Sequence, residues 1–394
     1  MKKKKTALKK KPARWWWYVC IGILCIILSF LFFTRIAAHA PITTAQQGKN
    51  IIYPTQYSDT HITENAKTTD QRFNNLAKIN KENFLASAAS SLQTNKPAPE
   101  ASQPEKGTWL WTPPLGITPE YRDSIIAGAK KNGIRNIYLS IDSYLDIYVM
   151  PDGADKEQKK KAFDDALESF IIAAHKNNMT VDAEGGWRNW AEPGNEYKAF
   201  AVVDYVLEFN ATHTEKLRGF QYDVEPYLLS SYTISKSAVL HNFVDLVSKT
   251  VTRLNNSDVE FSVVIPDFYD GTGGETPRYF YGGWNFGSTL THLLNILERR
   301  PGSMLIVMAY RNFSQGADGS IDISHDEIQT ADKYHTKVVV AQETGEVQPP
   351  YFTFYNTSLS DLNARIQDIQ KAFADNASYD GIAIHYINAL MALE

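Results

Sequence analysis

From Thr108 onward the chain alternates short β-rich runs with amphipathic helical stretches. Side chains repeat every two residues along a strand and every 3.6 along a helix, so the apolar pattern separates the two. The predicted strands are 109–111, 136–142, 180–185, 219–226, 260–268, 304–310, 337–344 and 381–387. The predicted helices are 118–132, 158–177, 195–209, 234–254, 287–299, 322–334 and 359–374. Eight such units in about 290 residues predict an α/β fold, the (β/α)8 TIM barrel.

The eighth helix of this barrel is short of sequence, because only residues 388–394 follow the last predicted strand. Another segment has the right pattern to replace it. Between residues 70 and 92 apolar side chains recur at roughly helical spacing: Phe73, Leu76, Ile79, Phe84, Ala88 and Leu92. We therefore expect a helix over 70–92 that docks in the vacant position between the first and eighth strands.

The N-terminus has the pattern of a membrane anchor. Residues 1–14 carry seven Lys, one Arg and no acidic residue, and the 19 residues from Trp15 to Phe33 are uncharged. Such a run is about long enough to span a bilayer as a helix, with its Trp cluster at the headgroups and the lysines in the cytoplasm. A cleaved signal peptide is the alternative, since Ala38-His39-Ala40 resembles a cleavage site.

The domain organisation follows from these patterns. We expect a basic cytoplasmic tail (1–14), a transmembrane signal anchor (15–34), a polar stalk that contains the 70–92 helix (35–106) and a TIM-barrel catalytic domain (107–394). The barrel would then be periplasmic or extracellular, in a single-pass membrane protein. Both cysteines, Cys20 and Cys25, lie in the anchor, so the exported part has no thiol chemistry.

Charge excludes one class of partner. Outside the basic tail the chain has 32 basic against 44 acidic residues. Nucleic-acid binding requires clustered Lys and Arg, so we expect no nucleic-acid partner. The exported part has neither a zinc-binding His or Cys pattern nor a phosphate-binding Gly-rich loop, and we expect no metal and no cofactor.

The fourth predicted strand contains two acidic residues close together. Its sequence from Arg218 reads Arg-Gly-Phe-Gln-Tyr-Asp-Val-Glu-Pro. Because strand side chains alternate, one face carries Gly219, Gln221, Asp223 and Glu225, and the other Phe220, Tyr222 and Val224. Burying a carboxylate inside a closed barrel costs free energy, so such residues are normally paired with another group or take part in function. The pattern therefore indicates a catalytic strand.

Active sites of TIM barrels lie at the C-terminal ends of the strands. In this sequence those ends are acidic and the loops after them aromatic, a combination that suits a sugar, whose C–H faces stack on rings while its hydroxyls bond carboxylates. We expect a carbohydrate substrate, bound by the residues Asp142, Asp182, Glu184, Trp187, Gln221, Tyr227, Asp267, Trp284, Arg311, His385 and Tyr386.

The fourth strand resembles the signature of family 18 glycoside hydrolases, the chitinase-like barrels, usually written Asp-Gly-x-Asp-x-Asp-x-Glu. Gly219, Asp223 and Glu225 match it, while Arg218 and Gln221 replace the first two aspartates. Met308-Ala-Tyr310 resembles that family's Met-x-Tyr on strand six. His385-Tyr386 stands where the family has Trp at the end of strand eight.

The resemblance implies a retaining glycosidase in which the substrate assists. Glu225 would protonate the leaving oxygen, Asp223 would orient a substrate acetamido group that acts as nucleophile, and Tyr310 would stabilise the cyclic intermediate. Two alternatives remain open. Glu343 on the seventh strand could instead be the nucleophile of a two-glutamate mechanism. Because side chains alternate along a strand, only one of Gln342 and Glu343 can point into the barrel. The barrel could also be a catalytically silent carbohydrate-binding or scaffold domain of the cell envelope, because Arg218 and Gln221 depart from the signature.

Overall fold

The computed structural model describes residues 104–393. Eight parallel strands close into a barrel in the order β1-β10-β9-β8-β5-β4-β3-β2. They are β1 (Glu105–Leu110), β2 (Asn136–Ser140), β3 (Thr180–Gly185), β4 (Gly219–Tyr222), β5 (Glu260–Pro266), β8 (Met304–Met308), β9 (Lys337–Glu343) and β10 (Tyr379–His385). The predicted TIM barrel is confirmed, and each of the eight predicted strands corresponds to one of these.

Helices cover the outside of the barrel. They are α1 (Pro119–Lys131), α2 (Tyr144–Tyr148), α3 (Ala154–His175), α4 (Glu196–Thr212), α5 (Lys236–Leu254), α6 (Thr289–Leu297), α7 (Ser320–Ala331), α8 (Leu359–Ala372) and α9 (Ile387–Ala392). Their starts follow local capping chemistry. The Thr118 side chain accepts from the amide of Tyr121 at α1, and Ser358 and Asp361 form a capping box at α8.

The two faces of each strand have different environments. Outward side chains such as Phe220 and Tyr222 are buried in the apolar layer under the helices, where the Tyr222 hydroxyl bonds Thr250 of α5. Inward side chains meet across the barrel. The Trp109 indole of β1 donates to Gln221 Oε1 of β4 over 2.6 Å. Since β1 and β4 are not neighbours in the sheet, this bond crosses the interior, and the alternation predicted for the fourth strand is confirmed.

Four features differ from the sequence expectation. β1 begins at Glu105, two residues before the predicted boundary between stalk and barrel. The short helix α2 and an antiparallel hairpin, β6 (Tyr279–Tyr281) with β7 (Asn285–Gly287), were not predicted. The residues after β10 do form a helix, α9, which packs against α1, where Asn388 and Tyr121 exchange hydrogen bonds.

The predicted tail, anchor and stalk as far as residue 103, including the 70–92 helix and its docking, lie outside the described residues and stay predictions. Within residues 104–393, no helix is long and apolar enough to cross a membrane.

The N-terminal end of the barrel is closed by a cluster of charges around Arg218, which precedes β4. Its guanidinium bonds Asp182 of β3 and Glu105 of β1, at 2.6 and 3.0 Å, and lies 3.5 Å from Glu260 of β5. Asp182 also accepts from Asn136. Three acidic side chains share one guanidinium, and burial raises the pKa of Glu105 and takes that of Glu260 to about 7.

Candidate active site

Asp223 and Glu225 lie just past the C-terminal end of β4, and each is only 5 % exposed. The backbone of β3 comes very close to them: the Asp223 amide donates to Gly185, and a Cβ on Gly186 would lie 2.1 Å from the Asp223 carbonyl oxygen. Gly186 is therefore required by this close approach. It lets the end of β3 pack against the segment that carries both carboxylates.

Glu225 has a protein donor beside it. The chain turns into a short 3-10 helix at Pro226–Leu228, and this turn brings the Tyr227 hydroxyl onto Glu225 Oε1 as a hydrogen-bond donor. The ring of Tyr227 packs edge-on against Phe268 and Tyr269, with centroids 5.4 and 6.4 Å away. Tyr227 therefore holds a catalytic candidate in place, and its predicted contact with substrate stays a prediction.

Tyr310 joins the same group from the segment after β8. It is 3 % exposed, and burial together with the charges of Glu343, Asp223 and Glu225 raises its pKa well above the ordinary value. All four predicted catalytic residues are thus close enough to interact at one end of the barrel. The raised pKa keeps the Tyr310 phenol protonated, so it can donate a hydrogen bond into this space.

Glu343 points inward and is completely buried. Its Oε1 accepts from the Gly345 amide at 2.6 Å and its Oε2 bonds His385 Nδ1 at 2.7 Å. Gln342 points outward, where its amide donates to Ala309 and its oxygen accepts from Ser320. The choice between Gln342 and Glu343 that the strand pattern left open is decided by this register.

His385 links Glu343 to the first strand. The Trp111 indole lies 3.1 Å from His385 Nε2, and an indole nitrogen can only donate. Nε2 therefore accepts, and Nδ1 carries the proton that is donated to Glu343. The imidazole is neutral, with both nitrogens engaged. Its ring also stacks on Tyr310 at 6.0 Å between centroids, so His385 forms part of the wall of the site.

Three further polar candidates lie inside the barrel next to the carboxylates. Asp142, at the end of β2, accepts from the Gly186 amide with both oxygens, at 3.2 and 3.3 Å, and so holds the β3 turn. Glu184 is fully buried on β3, in register with Gln221 of β4. The Gln221 amide is already used, since its oxygen accepts from Trp109 and its nitrogen donates to Ser262.

Asp267 and Arg311 form an ion pair at the ends of β5 and β8. The guanidinium lies 3.5 Å from Asp267, donates to Asp318 at 2.5 Å and packs over the Phe352 ring at 4.5 Å. Burial raises the pKa of Asp267 to about 6, although Arg311 opposes this rise. Arg311 is therefore mainly engaged with protein groups.

One predicted substrate-binding residue is misplaced by the sequence reasoning. Asp182 lies in the Arg218 cluster at the opposite, N-terminal end of the barrel. It shares the inward face of β3 with Glu184, but the register pairs it with Gly219, the first residue of β4. Two residues of rise, about 6.6 Å, separate it from the next inward layer, so its carboxylate meets Arg218 and not the mouth.

The predicted aromatic contacts surround the mouth at different depths. Trp187 is half-buried and its ring lies under Arg188, 5.1 Å from the guanidinium carbon. Tyr386 is half-buried beside Gly345, and burial followed by the charge of Glu343 raises its pKa. Trp284 is 91 % exposed at the tip of the β6–β7 hairpin.

Sequence reasoning missed this hairpin although a signal was present. Tyr279-Phe-Tyr-Gly-Gly-Trp-Asn-Phe-Gly287 has aromatic residues on both sides of a Gly-Gly pair, a pattern typical of a tight hairpin. Gly282 and Gly283 adopt φ values of 60° and 92°, which side chains disfavour. Phe280 and Phe286 pair across the exposed face, whereas Tyr279 and Tyr281 pack towards α5 and α6.

No protein-family model matches the chain, and no curated protein does. Solved structures with a similar fold include the endo-1,4-β-D-mannanase of Thermotoga petrophila RKU-1 (14 % identity, TM-score 0.48, 72 % of this chain and 88 % of that one). Others are a GH18 chitinase from Pseudoalteromonas aurantia (14 %, 0.42, 72 % and 93 %) and the D-psicose 3-epimerase of Clostridium cellulolyticum H10 (12 %, 0.40, 72 % and 84 %). At these scores the similarity extends to the barrel and carries no argument about activity.

Proposed function

We propose that this chain is a glycoside hydrolase that acts with retention at the membrane surface, held there by its N-terminal segment. Glu225 is the acid/base. The observation that supports this best is the grouping of Asp223, Glu225 and Tyr310 at the C-terminal end of the barrel, all buried and electrostatically coupled. A group of two carboxylates and one obligate donor suits a neutral substrate that develops positive charge during the reaction.

The roles follow from what each group can do. Glu225 gives a proton to the leaving glycosidic oxygen as the bond to the sugar carbon breaks. Asp223 accepts from the N–H of a substrate acetamido group, which aims the acetamido oxygen at that carbon. Tyr310 donates to the acetamido group as it closes onto the ring. Water then opens the cyclic intermediate after giving its proton to Glu225, and the configuration at the carbon is retained.

The two-glutamate mechanism is less well supported. A nucleophile needs a free lone pair facing the substrate, and Glu343 is completely buried with each oxygen in a short hydrogen bond. The hydrogen bond that His385 Nδ1–H donates to Oε2 further weakens that oxygen as a nucleophile. We therefore assign Glu343 to holding His385, and favour N-acetylated sugars as the substrate class.

A catalytically silent carbohydrate-binding barrel is the second candidate. It is favoured by Gln221, whose amide bonds Trp109 and Ser262 and is not aimed at Asp223. The matching aspartate of the family 18 signature is thus replaced by a residue that braces the barrel interior. Incubation with acetylated and non-acetylated oligosaccharides, followed by product analysis, separates the two. Binding without cleavage supports the silent barrel, and cleavage of N-acetylated sugars alone supports the proposed mechanism.

Glu225→Gln tests the assignment directly. The amide keeps the shape of the side chain but cannot give up a proton, so hydrolysis should fall by at least about 100-fold while the melting temperature stays near that of the wild type. Glu346→Gln is the matched control, because Glu346 is an exposed glutamate in the loop after β9. Hydrolysis at the wild-type rate by Glu225→Gln would rule out the acid/base role.

A further inference from the structure

The contact between Tyr227 and Glu225 has a defined direction. The Tyr227 hydroxyl donates to Glu225 Oε1. Burial, followed by the negative charge of Glu225, raises the pKa of Tyr227 well above its ordinary value. The phenol therefore keeps its proton throughout the pH range in which glutamates titrate, and it acts as a permanent donor to one carboxylate oxygen.

The surroundings fix this donor in position. Pro226 restricts the backbone directly before Tyr227, and both residues belong to the 3-10 helix Pro226–Leu228. On the far side the phenol ring meets the edges of Phe268 and Tyr269 at interplanar angles of 80° and 83°. The hydroxyl oxygen thus cannot move away from Glu225 without disturbing this aromatic cluster.

We propose that Tyr227 is a positioning residue that selects the oxygen on which Glu225 carries its catalytic proton. With Oε1 accepting from Tyr227, a proton on Glu225 resides on Oε2. This inference rests on the proposed function of Glu225 as acid/base. The phenol also stabilises the ionised carboxylate, which is the form needed to accept a proton from water in the second step.

Carboxylates near Glu225 oppose its ionisation, whereas the nearby phenols are neutral. Asp223 on the same segment and Glu343 from β9 are close enough to Tyr310, as Glu225 is, for their charges to raise its pKa. Like charges that share one space disfavour each other's ionisation. Tyr310 from the segment after β8 and Tyr269 from the loop after β5 are neutral phenols with raised pKa values. Tyr227 donates to Glu225 directly. We therefore expect this hydrogen bond to favour the ionised carboxylate and to offset part of the effect of the neighbouring negative charges.

The test is the titration of Glu225 in the full-length chain, followed by NMR of 13C-labelled glutamate carboxyl groups. The Glu225 signal is identified by its loss in Glu225→Gln. In Tyr227→Phe the ring packing is kept and only the donor is lost, so the titration midpoint should rise by about one pH unit or more. Tyr269→Phe is the matched control, because the Tyr269 hydroxyl is buried in the same cluster and makes no hydrogen bond within residues 104–393.

An unchanged midpoint in Tyr227→Phe, or an equal rise in Tyr269→Phe, would overturn the proposal. The same samples give a second readout with substrate. Losing the donor should move the basic limb of kcat/KM to higher pH by the same amount and lower kcat, whereas a purely structural role would leave the profile in place. Titration needs no substrate, so a raised midpoint with no cleavage of any sugar would refute the hydrolase and leave the Tyr227 contact standing.

Discussion

Among single residues, Asp267 is expected to make the stability of the fold depend on pH. Its side chain is 13 % exposed, and burial raises its pKa to about 6 despite the Arg311 guanidinium 3.5 Å away. The ordinary value is 3.8. The folded protein therefore holds this proton more tightly than the unfolded chain, so the protonated form of Asp267 stabilises the fold.

The sign of the resulting pH dependence follows. The contribution of Asp267 is fully present below pH 3.8 and is lost as the pH rises through about 6. The loss of this contribution lowers the unfolding free energy of the wild type by up to about 3 kcal/mol. Asn cannot titrate, so we expect the unfolding free energy of Asp267→Asn to change less between pH 4 and 7 than that of the wild type. Denaturant unfolding at a series of pH values measures it. Asp123→Asn removes a 68 % exposed carboxylate of α1, the partner of Arg122, and should keep the wild-type slope. Parallel curves for wild type and Asp267→Asn would show that the group titrates normally.

At the scale of elements, the β6–β7 hairpin is an aromatic surface built on a βα loop. Phe280 and Phe286 are 55 % and 54 % exposed, with ring centroids 5.0 Å apart, and Trp284 meets Phe280 edge-on at 6.2 Å. The loop after β5 belongs to the end of the barrel that carries Asp223 and Glu225. This placement agrees with the sequence prediction that Trp284 contacts a sugar, which stays a prediction.

Trp284→Ala should weaken binding of oligosaccharides roughly three- to tenfold, because a sugar ring loses its stacking surface while nothing buried is removed. Titration calorimetry with the substrate identified by the cleavage assay measures the affinity. Ile234→Ala is the control, since Ile234 is 86 % exposed but has no ring on which a sugar can stack. Equal affinities for Trp284→Ala and the wild type would exclude the hairpin from the binding site.

At the scale of the whole molecule, the barrel interior separates two polar ends. The N-terminal end is held by Arg218, whose ion pairs connect β1, β3 and β5 across the interior. Trp109, Tyr138 and Gln221 fill the layer above it. The C-terminal end holds Asp223, Glu225 and Glu343. One end therefore serves closure of the barrel and the other is available for chemistry.

Removing the guanidinium should destabilise the whole fold. Arg218→Met leaves Asp182, Glu105 and Glu260 without their shared cation, which we expect to cost about 3–5 kcal/mol at neutral pH. Protonation of the acids should restore part of this at low pH. Thermal unfolding at two pH values measures both effects. Lys337→Met is the control: its side chain is 46 % exposed, its ammonium lies 3.9 Å from Asp380, and its loss should cost less than about 1 kcal/mol. A melting temperature unchanged by Arg218→Met would refute the structural role of the cluster.

The barrel, and the end of it that carries the candidate site, could be predicted from the sequence. Strand and helix periods are local properties, and the parallel order that follows from them brings every strand's C-terminal end to one side. That was enough to place Asp223, Glu225 and Tyr310 together. It also gave the alternation on β4, because neighbouring residues on a strand always face opposite ways.

The depth of each side chain in the barrel, the register of the strands and the hydrogen-bond partners depend on the three-dimensional fold. Asp182 and Glu184 share one face of β3, yet the stagger of the strands puts Asp182 on Arg218 at the far end. The register of β9 turns Glu343 inward onto His385. The turn after β4 brings Tyr227 onto Glu225. These contacts join residues from different strands or depend on the path of a loop, and no periodicity within one segment encodes such distances.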